Sequence, residues 1–261
     1  MFPKICHLTS VHSPFDVRIF HKQARSLVRA EYDVTLIAQH DKEEIVDGVK
    51  IINLQRPRNR IERMTKTALE LYRKAMSSDA DIYHFQDPEL MPVGLKLRKK
   101  GKRVIFDIHE DTRQQIILKS YIPSGLRKLL SLTYASYEDY ACRKFSALIT
   151  PQAKMTDYYR KLNHTETVEN FVDISLYPKR TVEYTKPVLL HAGTLSADRG
   201  LYNMINAAKC LKGDFVFNVA GVLSNSLVRT SLHPLKYLGY LNQEEIVSVY
   251  GKSNIGIILY N

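Results

Sequence analysis

The amino-acid sequence predicts an α/β fold of two doubly wound parallel-sheet domains, the second one incomplete. Three observations carry this expectation. Short, nearly continuous apolar runs alternate with stretches whose apolar residues recur every three or four positions, the patterns of strands buried on both faces and of helices laid over them. The first strand, helix, strand passage contains no hairpin signal, so its strands join by a right-handed crossover and run parallel. The alternation pauses in a polar stretch bounded by Pro178 and Pro187 and then begins again, which marks two units.

In chain order, Lys4 to Thr9 is a strand followed by a loop holding His12, Pro14 and Asp16. Val17, Phe20, Ala24, Leu27 and Val28 then mark one face of a helix that closes near Tyr32. Asp33 to Ala38 and Val49 to Leu54 read as strands, Ile61 to Met76 as a helix and Asp81 to Phe85 as a strand. A helix opens between Pro88 and Pro92, where proline is tolerated in a first turn. Arg103 to Ile108 is the next strand, ending at His109-Glu110-Asp111, followed by a helix from Leu126 to Arg143 and a strand from Ala147 to Thr150. The stretch Thr167 to Tyr177, leading into Pro178-Lys179-Arg180, is the expected boundary and divides the chain into residues 1–170 and 171–261. In the second part come a strand Val188 to Ala192, a helix Leu201 to Leu211, strands Phe215 to Ala220 and Lys236 to Leu238, a helix Gln243 to Tyr250 and a strand Ile255 to Tyr260. Asn242 with Glu245 three residues on reads as a capping box. Both units are Rossmann-like.

The chain has 261 residues, 44% hydrophobic and 25% charged, and no apolar run long enough to span a bilayer. The start Met-Phe-Pro-Lys-Ile-Cys-His lacks a signal peptide's apolar region, so a cytoplasmic protein is expected. Cys6, Cys142 and Cys210 lie far apart without metal-type spacing and fit reduced thiols; no metal site is expected. A formal net charge of +11 asks for a polyanionic or membrane-associated partner. The cations bunch at Arg56, Arg58, Arg60, Arg63, Lys66, Arg73 and Lys74, then at Lys96, Arg98, Lys99, Lys100, Lys102 and Arg103. In the first group Ile61, Met64, Ala68, Leu71 and Met76 form a loose helical stripe. That fits either a basic amphipathic helix on the inner face of an anionic membrane or a solvated helix face. Nucleic acid is not expected as a partner, for no binding motif or aromatic platform accompanies the charge.

The function can be organised around Val188 to Gly200, Val-Leu-Leu-His-Ala-Gly-Thr-Leu-Ser-Ala-Asp-Arg-Gly. This is a strand, a tight loop and a helix start. Unpaired N–H groups and the positive end of the helix dipole suit such a place to a phosphate, and Arg199 would add a fixed charge of fork geometry. An ordinary turn with an exposed arginine is the other reading.

His-Leu-Thr-Ser-Val-His-Ser-Pro-Phe-Asp-Val-Arg-Ile-Phe-His-Lys (7 to 22), Tyr-His-Phe-Gln-Asp-Pro-Glu-Leu (83 to 90), Asp-Ile-His-Glu-Asp (107 to 111), Ala-Gly-Thr-Leu-Ser-Ala-Asp-Arg-Gly (192 to 200) and Tyr-Leu-Gly-Tyr-Leu-Asn-Gln-Glu-Glu-Ile (237 to 246) occur in an order and spacing that resembles the retaining glycosyltransferases of family 4, which have the GT-B fold. The resemblance implies transfer of a sugar from a nucleotide donor, UDP- or GDP-linked, to a glycan or lipid-linked acceptor. Configuration would be retained and no metal required, in the synthesis of surface polysaccharide or glycolipid, with the ligand cleft lying between two such domains.

The resemblance also implies roles. Arg199, with backbone amides from Gly193 onward, would stabilise the charge growing on the departing diphosphate. The family often has a lysine at the Arg199 position and an arginine after the loop glycine; here the second place is Thr194, one fixed positive charge fewer. Gly221, Val222, Tyr240 and Leu241 follow strands of the second domain, where they could hold and cover the base. His109 stands where the family keeps a histidine near the transferred sugar, although a histidine packed at a strand end is the plain alternative. Glu110 and Asp111 would bind a basic acceptor group or cap the next helix. The first loop normally carries paired glycines. This chain has Val11 to Asp16 instead, which makes Asp16 and Arg18 donor or acceptor contacts, with an N-cap and a surface arginine as alternatives. His12, His21 and His84 are left to structure.

Two other classes remain open on the sequence: a nucleotide- or glycan-binding module that transfers nothing, and a dinucleotide-dependent oxidoreductase, disfavoured because no Gly-x-Gly-x-x-Gly follows the first strand. The family's donor-binding glutamate pair would follow Ile255 to Tyr260, and the sequence ends at Asn261. The expectation is therefore a truncated transferase or one half of a split enzyme, unless Glu244 or Glu245 takes the role.

Overall fold

A computed structural model describes residues 3–119, 122–172, 186–224, 227 and 230–259. The expected boundary stretch Pro178 to Arg180 and the end of the last expected strand, Tyr260, lie outside the described residues. The chain divides into two compact units, Met1–Asn170 and Phe171–Asn261.

Among the described residues the first unit is built on an eight-stranded sheet of order β3-β4-β2-β1-β5-β6-β7-β8. Its strands are β1 (Lys4–Leu8), β2 (Asp33–Gln39), β3 (Glu44–Val46), β4 (Val49–Leu54), β5 (Ile82–Phe85), β6 (Arg103–Asp107), β7 (Ala147–Thr150) and β8 (Thr165–Thr167). The helices are α1 (Arg25–Arg29), α2 (Arg60–Glu62), α3 (Ala68–Ser78), α4 (Met91–Lys99), α5 (Thr112–Leu118), α6 (Ser124–Cys142) and α7 (Ala153–Tyr159). All strand pairs are parallel except β3 with β4. The second unit carries a parallel sheet of order β11-β10-β9-β12, from β9 (Val188–Ala192), β10 (Val216–Ala220), β11 (Lys236–Tyr237) and β12 (Ile255–Gly256), with α8 (Leu201–Cys210) and α9 (Gln243–Gly251).

Several expectations are corrected. The sheet is not purely parallel, because Asp47 (φ 50°) and Gly48 (φ 80°) close a two-residue turn with positive φ at both positions and fold Glu44–Val46 back on β4. The first helix is not one α-helix to Tyr32. It begins as a π-helical segment Val17–Ala24, in which the Asp16 carbonyl accepts from the N–H of both Phe20 (2.9 Å) and His21 (3.3 Å), and becomes regular only in α1. The expected helix Ile61 to Met76 is likewise broken by a π-helical segment Arg63–Thr67 between α2 and α3.

One face of the first sheet packs Cys6, Leu8, Tyr83, Phe85, Val104, Phe106 and Leu148 under α3, α4 and α6. Phe85 and Phe106 stack at 4.7 Å, with Phe145 edge-on to both. Burial pushes the Cys6 thiol up to about 12, which leaves it a packing group. On the other face Ile19, Phe20 and Ala24 cover Val34, Leu36, Val49 and Ile51. In the second unit Met204, Ile205 and Ala208 of α8 pack on Leu189, Phe217 and Val219. Among the described residues no helix is long and apolar enough to cross a membrane.

Candidate functional site

In an open parallel sheet, ligands gather outside the carboxyl ends of the strands. At that edge of the first unit β1, β5 and β6 deliver three loops. Asp87, after β5, is 3% exposed, and its Oδ2 accepts from Ser10 N (2.6 Å), Thr9 Oγ1 (2.9 Å), Ser10 Oγ (3.2 Å) and Val11 N (3.2 Å). It thereby holds the loop after β1. Its other oxygen lies 3.5 Å from His12 Nε2, while His12 Nδ1 is 3.4 Å from Asp16 Oδ2. Glu89 accepts from Ser10 Oγ (2.8 Å) and bidentately from Arg63 Nε (2.7 Å) and Nη2 (3.0 Å).

The electrostatics follow from these contacts. The Asp16 carboxylate, outweighing partial burial and helped by Asp87, raises His12 toward its charged form. Burial would push Asp16 up, but His12 and the amides of Ile19 and Arg18 hold it below the usual carboxylate range. His12 has both ring nitrogens against carboxylates, so it braces the loop. His109, half-buried after β6, differs: its Nδ1 donates to the Asp107 carbonyl at 3.3 Å. In the tautomer that keeps its proton on Nδ1, Nε2 can accept from a hydroxyl. The His12 and His109 rings are 6.2 Å apart.

The other first-unit residues singled out in the sequence divide by task. Asp16 caps the first helix, accepting from Arg18 N (2.8 Å) and Ile19 N (2.9 Å). Asp111 caps α5 through Gln114 N (3.0 Å), and Glu110 accepts from Gln115 Nε2 (2.6 Å). Arg18 is not a surface arginine: its Nη2 lies 2.9 and 3.0 Å from the two oxygens of buried Asp107. Asp107 also accepts from Gln23 Nε2 (2.7 Å) and stands 3.7 Å from His84 Nε2. Although burial raises it, His84 and Arg18 hold Asp107 far below the carboxylate range. Behind this group Ile5, Ile82, Ile105 and Ile149 line a cavity of about 380 Å³ on the sheet face.

In the second unit the loops after β9, β10 and β11 are stitched together by backbone. Gly193 N–H donates to Ala220 O (2.9 Å), Leu195 N–H to Val222 O (2.8 Å) and Gly221 N–H to Gly239 O (2.8 Å). The amides of Gly193 and Leu195 are thus committed within the protein, so the expected phosphate cradle is narrowed to the other amides of the loop. Gly221 (φ 136°) must be glycine, since a Cβ there would sit 1.8 Å from Gly193 O. Gly200 (φ 71°) opens α8, and a Cβ would sit 2.1 Å from Leu259 O. Around this frame Thr194, Arg199, Val222 and Tyr240 are exposed, Tyr240 by 75%, and Leu241 is half-buried. The capping box forms as expected, with Asn242 Oδ1 accepting from Glu245 N (3.0 Å) and Glu245 Oε2 from Asn242 N (2.8 Å). Glu245 is therefore occupied.

Asp87, Glu89, Arg63 and Asp107 were not singled out from the sequence as site residues. Their signal was available: an Asp-Pro at a strand end and a carboxylate enclosed by Phe106 and Ile108. His191 was also missed; it is buried, its Nδ1 3.0 Å from Ile257 O, with no partner for Nε2 among the described residues.

Residues 17–176 match the profile of a family described as Glycosyltransferase Family 4. No curated protein matches the chain. Among solved structures, sucrose-phosphate synthase from Thermosynechococcus elongatus is similar at a TM-score of 0.75 and 13% identity, over 98% of this chain and 75% of that one. Anabaena HepE in complex with UDP and glucose is similar at 0.68 and 13%, over 99% and 74%. The catalytic domain of starch synthase IV from Arabidopsis thaliana, bound to ADP and acarbose, is similar at 0.66 and 11%, over 99% and 78%. At these identities the likeness shows the fold.

Proposed function

We propose that this chain, which belongs to Glycosyltransferase Family 4, moves a sugar from a UDP- or GDP-linked donor to a glycan or lipid-linked acceptor, in surface polysaccharide or glycolipid synthesis at the cytoplasmic face of a membrane. In the reaction the bond between the sugar's anomeric carbon and the diphosphate oxygen breaks, and an acceptor hydroxyl forms the new bond to that carbon as its proton passes to the departing diphosphate. Negative charge grows on the departing diphosphate, and donors already aimed at it lower the barrier. Arg199 supplies the positive charge that faces it, on a loop held by the paired amides of Gly193, Leu195 and Gly221. Tyr240 and Val222 offer exposed surface to a base. His109 accepts from a sugar or acceptor hydroxyl through Nε2.

The observation that carries this reading is the family match, supported by the concentration of phosphate-compatible and base-compatible groups at one edge of the second sheet. Relatives in fold solved with UDP and glucose or with ADP support a nucleoside diphosphate. Retention of configuration and independence of a metal are part of the proposal. Incubating the chain with a panel of nucleotide sugars, with chelator present, and following nucleoside diphosphate release and the product's anomeric configuration tests it. Release from a UDP- or GDP-sugar with a retained product is expected; an inverted product or a metal requirement overturns those parts.

A further inference from the structure

We infer that Arg18 and Gln23 are positioning residues: through the carboxylate of Asp107 they hold the backbone that keeps the proton of His109 on Nδ1 and leaves Nε2 as the acceptor. The contacts start at His109, whose Nδ1 lies 3.3 Å from the carbonyl of Asp107, two residues back. A carbonyl oxygen has no proton to give, so this is a hydrogen bond only while Nδ1 carries one. Free histidine prefers its proton on Nε2. The other tautomer dominates only where the carbonyl is held in place against the ring.

Asp107 ends β6 and is wholly buried, and its side chain is gripped from two elements. Its Oδ2 accepts from Gln23 Nε2 (2.7 Å) and Arg18 Nε (3.3 Å), and Arg18 Nη2 stands 2.9 Å from Oδ1 and 3.0 Å from Oδ2. From β5, His84 Nε2 is 3.7 Å from Oδ2. A forked, charge-assisted contact of this kind fixes orientation as well as charge. Gln23 is braced in turn: its Oε1 accepts from Nε2 of buried Gln86 (2.7 Å), the residue before Asp87. The residue that carries the carbonyl is thereby fixed by its own side chain.

The π-helical segment Val17–Ala24 explains how one short stretch supplies both donors. Arg18 and Gln23 are five residues apart, which in an α-helix would set them about 140° apart around the axis. Bonding from i to i+5 stacks such residues instead. It is seen in His21 N–H to Asp16 O (3.3 Å) and in Arg25 N–H to Phe20 O. Both side chains then reach one carboxylate. The helix becomes regular at Arg25, once both are in place. In its effect on rate the inference rests on the transferase reading; the tautomer does not.

Long-range proton–nitrogen correlation at alkaline pH, on the whole chain with ring-labelled histidine, reads the tautomer of each of the nine histidines, and His109→Gln identifies the signals of His109. For His109 a protonated Nδ1 and a bare Nε2 are expected. Gln23→Glu keeps the acceptor that Gln86 uses and puts a like charge in place of the donor, and Arg18→Lys keeps the charge but loses the fork. In both variants the His109 signals should move toward the Nε2-protonated form. Their kcat for the nucleotide sugar that the wild type turns over should fall about tenfold, with KM changed less than about twofold. A role in stability alone would lower the melting temperature and leave the tautomer of the folded protein where it was. Nε2-protonated His109 in the wild type overturns the inference, as do variants that keep the wild-type tautomer or that shift it without slowing transfer. If the wild type turns over no nucleotide sugar, the transferase reading fails, and the tautomer shifts by themselves decide whether Arg18 and Gln23 position His109.

Discussion

Replacing Asp87 with alanine should unfasten the loop that carries His12, and the loss can be worked from its contacts. Four donors converge on Asp87 Oδ2, but they do not lose equally. Ser10 Oγ keeps Glu89 Oε1 at 2.8 Å, and Val11 N keeps Thr9 Oγ1 at 3.3 Å. The orphan is the Ser10 N–H, in a residue with no exposure, whose hydrogen bond to a charged group is worth about 1.5 to 3 kcal/mol. The Thr9 hydroxyl, equally buried, adds about 0.5 to 1.5 kcal/mol. Removing a carboxylate from a buried place returns part of its desolvation penalty, so the net expectation is a loss of about 2 to 4 kcal/mol. Urea unfolding of wild type and Asp87→Ala at neutral pH, compared at equal m, measures it. Asp87→Asn, which keeps one acceptor oxygen, should fall between the two. A loss below about 0.5 kcal/mol for the alanine variant, the size of an ordinary surface change, would refute the reasoning that this carboxylate holds the loop.

Three further outcomes are expected. His12 is raised in the folded protein, so its contribution is fully present below its unfolded value, about 6.5, and is lost as pH rises through the folded value; wild-type stability minus that of His12→Gln should fall from about pH 6 to pH 8, and a difference that rises would contradict the assignment. Gly200→Ala places a methyl against the Leu259 carbonyl at positive φ and should destabilise by about 2 to 4 kcal/mol, read as a lower unfolding midpoint; an unchanged midpoint would show that α8 starts otherwise. Arg199→Ala should weaken nucleoside diphosphate binding by about 1.5 to 3 kcal/mol, while His109→Ala should leave it nearly intact and slow transfer; titration and rate measurements showing the reverse would exchange the two roles.

The alternation of elements was legible because a parallel sheet covered on both faces leaves nearly every strand residue apolar, as in Val34 to Ala38 and Val104 to Phe106. Local chemistry was legible too: the Asn242 capping box spans three residues and forms as read. The Asp47-Gly48 hairpin was equally local, but β3 has only three residues and lies at the sheet edge, so it lacks the apolar run that announces a strand. What could not be read is pairing across the sheet. Arg18 meets Asp107 and the Ser10 loop meets Asp87 only because β1 lies beside β5 and β5 beside β6 in register, and nothing near either residue in sequence states that. The same holds for Gly193, whose amide is taken by a strand that comes after α8.

Calorimetric titration of the chain with UDP, GDP, ADP and NAD tests the central claim most directly. Saturable binding of a nucleoside diphosphate, UDP or GDP, that weakens in Arg199→Ala is expected, with no binding of NAD. Binding of NAD without any nucleoside diphosphate would contradict it.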